Sequence, residues 1–158
     1  MARTLLMVDG LGKPPPETWN DLAKKLATFL NATTIFLDYS KFLSGVRNVN
    51  FRNQVIVVGH SLGALEVLKA TNTLGMTAAI GIDAVHYNWS DDPIKVGTLT
   101  KHIRCYRRKR IFSPPPSVGV LSRNSSDNVE IEAGWFGHNK IIEIATPQIV
   151  EFVKTVIR

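Results

Sequence analysis

The sequence predicts a three-layer α/β fold, a single domain over residues 1–158 in which helices flank a mostly parallel sheet. Short continuous apolar runs, such as residues 4–8 and 54–58, are typical of parallel strands that are covered on both faces. Segments with helical apolar spacing separate these runs, and this alternation indicates βαβ units. A chain of 158 residues is long enough to bury such a core.

The first half of the chain begins with the strand at residues 4–8, which ends in a glycine-containing turn. A helix over residues 17–30 follows, because apolar residues recur there at helical spacing and Pro16 suits the first helical position. Residues 33–37 are rich in β-branched side chains and are predicted to form the second strand. The polar stretch 38–53 has room only for a short helix or turn.

The second half continues the alternation after the buried strand at residues 54–58. Each remaining element shows either a helical apolar spacing, a continuous apolar run or an in–out alternation. In order, these elements are a helix at 62–74, strands at Ala78–Ile82, 102–107 and 129–133, and a closing helix at 146–157.

The net charge of +6 is concentrated in residues 101–110, which contain six Lys or Arg. Such a run marks either an anionic-surface or nucleic-acid patch, or a strand whose outward positions are solvated. We favour the strand, with Ile103 and Cys105 turned inward, because no aromatic stacking platform accompanies the charges. Nucleic acid is therefore an unexpected partner.

Several classes of protein are disfavoured by what the sequence lacks. The single Cys105 has no partner for an internal disulfide, and no clustered Cys or His spacing suggests a metal. The N-terminal apolar stretch is too short for a signal peptide, and no run reaches the length of a membrane span. We expect a cytoplasmic protein with no membrane span and no metal or organic cofactor.

The stretch VIVVGHSLGALEVL contains the pattern G-x-S-x-G at Gly59, Ser61 and Gly63. In this pattern the serine occupies a strained strand-to-helix turn that exposes its hydroxyl, and the glycines leave room for neighbouring backbone. The bare pattern is weak evidence, but here it follows a buried strand and opens a helix. Ser61 is therefore the predicted nucleophile.

This turn, together with the order of strands and helices, resembles the α/β-hydrolase superfamily, especially its lipase and esterase branch, where G-H-S-L-G is common. The resemblance implies a minimal serine esterase of that fold. The chain is short for the family, the helix before the serine strand is reduced or missing, and no lid-sized insertion is present.

A nucleophilic serine needs a base to accept its proton, usually a histidine. His138 lies between the last predicted strand and the terminal helix, where the resembled family carries its histidine. His86, a few residues after the fourth strand, is the alternative. His60 adjoins the nucleophile, where a packing role is expected, and His102 has no evident reason to face Ser61.

The orienting acid of the resembled family usually follows the fifth strand, but residues 107–117 contain no carboxylate. Some members carry the acid one strand earlier, where Asp83 ends the fourth strand, and Asp83 is the predicted acid. Asp127, just before the last strand, is the alternative, while Asp91 and Asp92 are weaker candidates.

An oxyanion hole requires two backbone N–H donors. We expect one from Leu62, directly after the nucleophile, and the other from Leu11 in the turn VDGLG, where Gly10 and Gly12 permit a tight backbone. Asp9 stands where the resembled family often has a histidine. An ionised carboxylate there would oppose an oxyanion unless it pointed away or was paired.

These residues together predict the hydrolysis of a small-molecule or lipid-like ester through an acyl-enzyme on Ser61. The alternatives are a binding or scaffolding module that has lost catalysis, and a nucleic-acid binder that uses residues 101–110. Several bulky residues are candidates either for an acyl pocket or for surface-loop packing. They are Trp89, Trp135, Phe136 and the proline segments 14–16 and 114–116.

Overall fold

The fold is taken from a computed structural model, which describes residues 1–109, 117–121, 124–134 and 137–158. In chain order the strands are β1 (Arg3–Asp9), β2 (Thr33–Asp38), β3 (Gln54–His60), β4 (Ala78–Ile82), β5 (Ile94–Lys95), β6 (His102–Arg108), β7 (Val120–Leu121) and β8 (Asn128–Ile131). Six of them form one sheet in the order β2-β1-β3-β4-β6-β8, and every pairing in it is parallel. The predicted fold class is confirmed.

Four α-helices accompany the strands in the described parts of the chain. They are α1 (Pro16–Leu30), α2 (Phe42–Gly45), α3 (Leu62–Ala70) and α4 (Lys140–Val156). The short α2 lies in the stretch between β2 and β3, where the sequence left room for only a short helix. Among the described residues, no helix is both long enough and apolar enough to cross a membrane.

The two faces of the sheet bury alternate residues of the same strands. On β1, Leu5 and Met7 belong to the core beneath α1 and α4, whereas Leu6 and Val8 belong to the core on the face that α3 covers. All four side chains are fully buried. Because both faces are covered, the strands read as continuous apolar runs in the sequence.

Two helix boundaries and one small sheet differ from the prediction. The helix predicted at 146–157 begins six residues earlier, at Lys140, because the first two turns also bury apolar side chains, those of Ile141, Ile142 and Ala145. The helix predicted to reach Leu74 ends at Ala70, where the Thr71 hydroxyl donates to the Leu68 carbonyl and accepts the Gly97 N–H. The sequence pattern did not predict the two-stranded parallel sheet β5-β7.

The sheet order also positions a crevice. The chain leaves β1 to form β2 on one side, and β3 then returns to the other side of β1. Ligands of open α/β sheets bind outside the carboxyl ends of strands at such a reversal point. The turns that follow β1, β3 and β4 therefore meet at the edge where chemistry is expected.

Candidate active site

Ser61 lies in the turn between β3 and α3 with φ 59° and ψ −122°. This is a strained conformation for a residue that carries a Cβ. The turn is held because the Ser61 N–H donates to the Ile82 carbonyl at 3.0 Å, while the Ser61 carbonyl accepts the Leu65 N–H at 3.2 Å. The first bond ties the turn to β4 and the second to the first turn of α3.

Two glycines let the backbone pack tightly around this turn. A Cβ on Gly63 would lie 2.3 Å from the Val8 carbonyl oxygen, so no other residue fits there without a backbone shift. A Cβ on Gly10 would lie 2.7 Å from the Ser61 Cβ and 3.1 Å from the Leu62 nitrogen. The turn after β1 thus lies directly against the Ser61 turn.

The structure brings His138 and Asp83 together, although 55 positions separate them in the sequence. The His138 Nδ1–H donates a hydrogen bond to Asp83 Oδ2, which fixes the tautomer and leaves Nε2 as the other ring nitrogen. Asp83 follows β4 and is fully buried, and its N–H donates to the Tyr106 carbonyl at 2.7 Å. Among the described residues, no hydrogen bond joins the Ser61 hydroxyl to His138.

The Asp83 carboxylate has a cationic neighbour that sequence reasoning missed. Arg108 Nε lies 2.9 Å from each of its two oxygens, and the Ser117 side chain donates a further hydrogen bond to it. Burial by itself raises the pKa of Asp83, but the His138 hydrogen bond, the Arg108 charge and the Ser117 hydrogen bond outweigh burial. The pKa therefore falls below its usual value, and the carboxylate stays ionised.

His60 is buried beside His138, with ring centroids 4.6 Å apart, and its Nε2–H donates to the His138 carbonyl at 2.8 Å. Trp19 packs on it, with a centroid separation of 6.2 Å. Burial, followed by the charge of His138, lowers the pKa of His60 to about 4, so the ring is neutral near pH 7. Its position fits the packing role expected from the sequence, and it also has a hydrogen bond that the sequence did not predict.

The two expected oxyanion donors occupy adjoining turns, with Leu62 at the start of α3 and Leu11 in the turn that a Lys13 N–H to Gly10 carbonyl bond closes. Asp9 ends β1 next to this turn. Its Oδ1 is buried without a hydrogen-bond partner in the described part of the chain. Burial and then the charge of Asp38 raise the pKa of Asp9, which favours its neutral form.

The other candidate residues lie away from this cluster. His86 donates from Nε2 to the Asp92 carbonyl at 2.7 Å on an exposed loop. His102 begins β6 and Asp127 directly precedes β8, so both lie at the amino edge of the sheet, opposite Ser61. Across the described parts of the chain, no group of three or more His, Cys, Asp or Glu side chains is arranged to hold a metal ion.

The described residues of the basic run mostly have partners. Arg107 pairs with Glu130 at 2.8 Å and Lys109 with Glu132 at 3.2 Å, while the Arg104 guanidinium lies over the Phe152 ring at 4.5 Å. Ile103 and Cys105 point inward as predicted. The Arg110 end of the run lies outside the described residues.

The bulky candidates for an acyl pocket are only partly described. Trp89 is 58% exposed on the loop after β4, and Pro14 is buried ahead of α1. Trp135, Phe136 and the proline segment 114–116 lie outside the described residues.

Comparison with known proteins shows the fold. No known sequence family matches the chain, and no curated protein matches it. A solved structure named a candidate hydrolase of the alpha/beta superfamily, from Xanthomonas campestris pv. campestris, matches with a TM-score of 0.69 and 12% identity, over 96% of this chain and 98% of that one. A candidate YdeN-like hydrolase from Pectobacterium atrosepticum matches with a TM-score of 0.60 and 16% identity, over 98% and 92% of the two chains.

An acetyl xylan esterase also matches, with a TM-score of 0.56 and 12% identity, over 99% of each chain. At these identities the likeness concerns architecture, and it spans nearly the whole length of this chain. The chain therefore has the α/β-hydrolase fold that the sequence analysis predicted.

Proposed function

We propose that this protein is a serine hydrolase that cleaves carboxylic esters through an acyl-enzyme on Ser61. One observation carries the proposal: a serine in a strained strand-to-helix turn shares the carboxyl edge of the sheet with a histidine that a buried, ionised carboxylate orients. Nucleophilic acyl transfer needs these three groups in these roles. The acetyl xylan esterase among the structural neighbours gives a precedent for ester cleavage on this fold.

In the proposed reaction, His138 Nε2 accepts the Ser61 hydroxyl proton as Oγ attacks the ester carbonyl carbon. The tetrahedral oxyanion accepts hydrogen bonds from the backbone N–H groups of Leu11 and Leu62. Collapse breaks the C–O bond, and His138 gives its proton to the leaving alcohol. Water then loses a proton to His138 as it attacks the acyl-serine. Collapse breaks the bond from the acyl carbon to Oγ, and His138 returns the proton to Oγ, which releases the acid and restores Ser61. Asp83 holds the imidazole and stabilises its cation throughout.

The unpartnered Asp9 carboxyl bears on this mechanism. An ionised group beside the oxyanion would raise the barrier, whereas the raised pKa of Asp9 favours a neutral carboxyl. Asp9 is also the observation that favours the second candidate, a binding module that keeps the fold without catalysis. The absence of a hydrogen bond between the Ser61 hydroxyl and His138 fits this second candidate too, although such bonds often form only when substrate is bound.

Intact-mass labelling with a fluorophosphonate, together with p-nitrophenyl acetate hydrolysis, tests the proposal. The wild type is expected to gain one adduct, and Ser61→Ala none. Ser61→Ala and His138→Ala are each expected to reduce kcat by about 10³-fold or more. Ser44→Ala and His86→Ala, which alter residues outside the site, serve as matched controls with unchanged activity. Folded wild type that takes no label would favour the binding module.

A further inference from the structure

Arg108 ends β6, and its side chain turns back to the buried carboxylate of Asp83. Its Nε lies 2.9 Å from Oδ1 and 2.9 Å from Oδ2. The Arg108 side chain is 11% exposed and that of Asp83 is fully buried, so water screens this ion pair poorly. The Arg108 N–H also donates to Ser117 Oγ at 3.1 Å, and Ser117 in turn donates to Asp83.

The cations on either side of Arg108 in the sequence do not have this arrangement. Arg107 and Lys109 pair with Glu130 and Glu132, and both of those carboxylates are exposed. Exposed pairs of this kind contribute little to stability or orientation. Within the described residues, Arg108 is therefore the cation of β6 that binds a buried carboxylate at the Ser61 edge of the sheet.

The chemical consequence follows from the Asp83 environment. A fully buried carboxylate with only a neutral imidazole and a hydroxyl as donors is costly to ionise, and it takes up a proton readily. A protonated Asp83 carboxyl would accept a weaker hydrogen bond from the His138 Nδ1–H than the carboxylate does. The guanidinium offsets the burial penalty, and by approaching both oxygens it also limits rotation of the carboxylate plane.

We propose that Arg108 is a positioning residue for hydrolysis, acting through Asp83 to hold the carboxylate ionised and oriented towards His138. This inference rests on the proposed serine hydrolase function. The described partners of Arg108 are Asp83 and Ser117, so we expect its effect in turnover and in the pH dependence of turnover, with little effect on substrate affinity.

The test compares Arg108→Met, Arg108→Lys and the matched control Arg107→Met, using p-nitrophenyl acetate over pH 5 to 9 and the fluorophosphonate inactivation rate. Arg108→Met is expected to lower kcat by roughly 10- to 100-fold. This is the range seen when a residue that orients a metal-binding side chain is removed, and Arg108 orients Asp83 in a comparable way. KM is expected to stay within about twofold because ground-state binding is unaffected.

The pH profile separates positioning from a merely structural role. Among the described residues, the titratable and charged groups around Asp83 are His138, His60, Cys105 and Arg108. Removing the Arg108 cation favours the protonated forms of the groups around it. The acidic limb of kcat/KM is therefore expected to move to higher pH by about one pH unit or more in Arg108→Met. Arg108→Lys keeps the charge without the planar geometry. The acidic limb of its kcat/KM profile should therefore stay at the wild-type pH, while the plateau rate falls several-fold.

Arg107→Met makes the same charge change one residue away and is expected to leave both the rate and the limb unchanged. A folded Arg108→Met protein with wild-type rate and an unmoved limb would overturn the inference. If that variant does not fold, Arg108→Lys decides, and a wild-type plateau rate in it would equally overturn the inference. An unlabelled wild type, by contrast, would contradict the proposed function itself.

Discussion

At the scale of single residues, the buried ring of His60 couples the serine turn to the histidine loop. Its Nε2 donates to the His138 carbonyl, and a carbonyl only accepts, so the neutral ring carries its proton on Nε2. The same side chain is 2% exposed and packs against Trp19. A neutral, buried histidine in this position makes the fold sensitive to acid.

The sign of that sensitivity follows from the pKa of His60, which burial and then the His138 charge lower to about 4 in the folded state from about 6.5 in the unfolded chain. Between these values the unfolded state binds more protons, so the free energy of unfolding falls as the pH drops from 6.5 towards 4. The loss is at most on the order of 3 kcal/mol, since a tenfold change in proton affinity is about 1.4 kcal/mol.

Urea unfolding at several pH values between 4.5 and 7.5 measures this loss, with His60→Gln as the reference. Glutamine keeps an N–H donor for the His138 carbonyl but does not titrate. The free energy of unfolding should therefore fall more steeply with decreasing pH in the wild type than in the variant. The difference in slope should correspond to at most one proton bound on unfolding. Equal pH slopes for the two proteins would mean that His60 is protonated normally when folded.

Gly10 provides a second test at the residue scale, because a Cβ there would meet the Ser61 Cβ at 2.7 Å. Gly10→Ala is expected to displace the serine turn, to lower the free energy of unfolding by about 1 to 3 kcal/mol and to slow fluorophosphonate labelling. Gly75→Ala is the control, since the nearest heavy atom to its added Cβ is 3.9 Å away. That control should be neutral or stabilising by up to about 1 kcal/mol.

Residue by residue, the sequence identified the parts of the candidate site better than their contacts. Ser61 was evident because its glycine neighbours and the strand before it form a local pattern. Asp83 and His138 were chosen largely through a family resemblance, since their meeting depends on the ends of separate strands. The Arg108 contact could not be predicted, because in a run of cations nothing local shows which one turns towards a buried carboxylate.

At the scale of secondary structure, α4 contains a proline in its interior. The helix was predicted from Thr146 onwards, but the structure begins it at Lys140 and places Pro147 inside a 17-residue helix. An interior proline removes one backbone hydrogen bond and crowds the carbonyl four residues earlier. The buried residues Ile141 and Ile142 fix the first turn of α4 to the core regardless.

Pro147→Ala is accordingly expected to stabilise the protein. Alanine restores the N–H and removes the ring, and the gain should be about 1 to 3 kcal/mol after the backbone relaxes. Pro147 is exposed, so little packing is lost. Chemical denaturation measures the gain, and Gln148→Ala on the same exposed stretch should change stability by less than about 0.5 kcal/mol. A destabilised Pro147→Ala would indicate that the proline itself is needed to shape α4.

The strands were easier to predict than the helix ends. Parallel strands covered on both faces need uninterrupted apolar residues. The predicted ends of β1, β3 and β4 each lie within two residues of the ends in the structure. The two-residue strands β5 and β7 carry no comparable pattern, because a pairing this short is set by the loops that bring it together.

At the scale of the whole molecule, the opposite faces of one sheet hold separate cores. Cys105 lies on β6 in the core that α3 covers, whereas Trp19 lies in the core beneath α1 and α4. The expectation of one domain over residues 1–158 requires the two cores to unfold together. Cys105 is suited to report this, because it is the single cysteine of the chain and is fully buried.

Thiol labelling of Cys105 with iodoacetamide tests that cooperativity. Burial raises the pKa of the Cys105 thiol to about 12, so the folded protein should react only when β6 opens. In native buffer the reaction should be slower than in the urea-unfolded chain by a factor of about 10³ or more. Across a urea titration, the labelled fraction and far-UV circular dichroism should trace one transition. Labelling that precedes the loss of helix would show that the α3 face opens first, and the chain would then not behave as one cooperative domain.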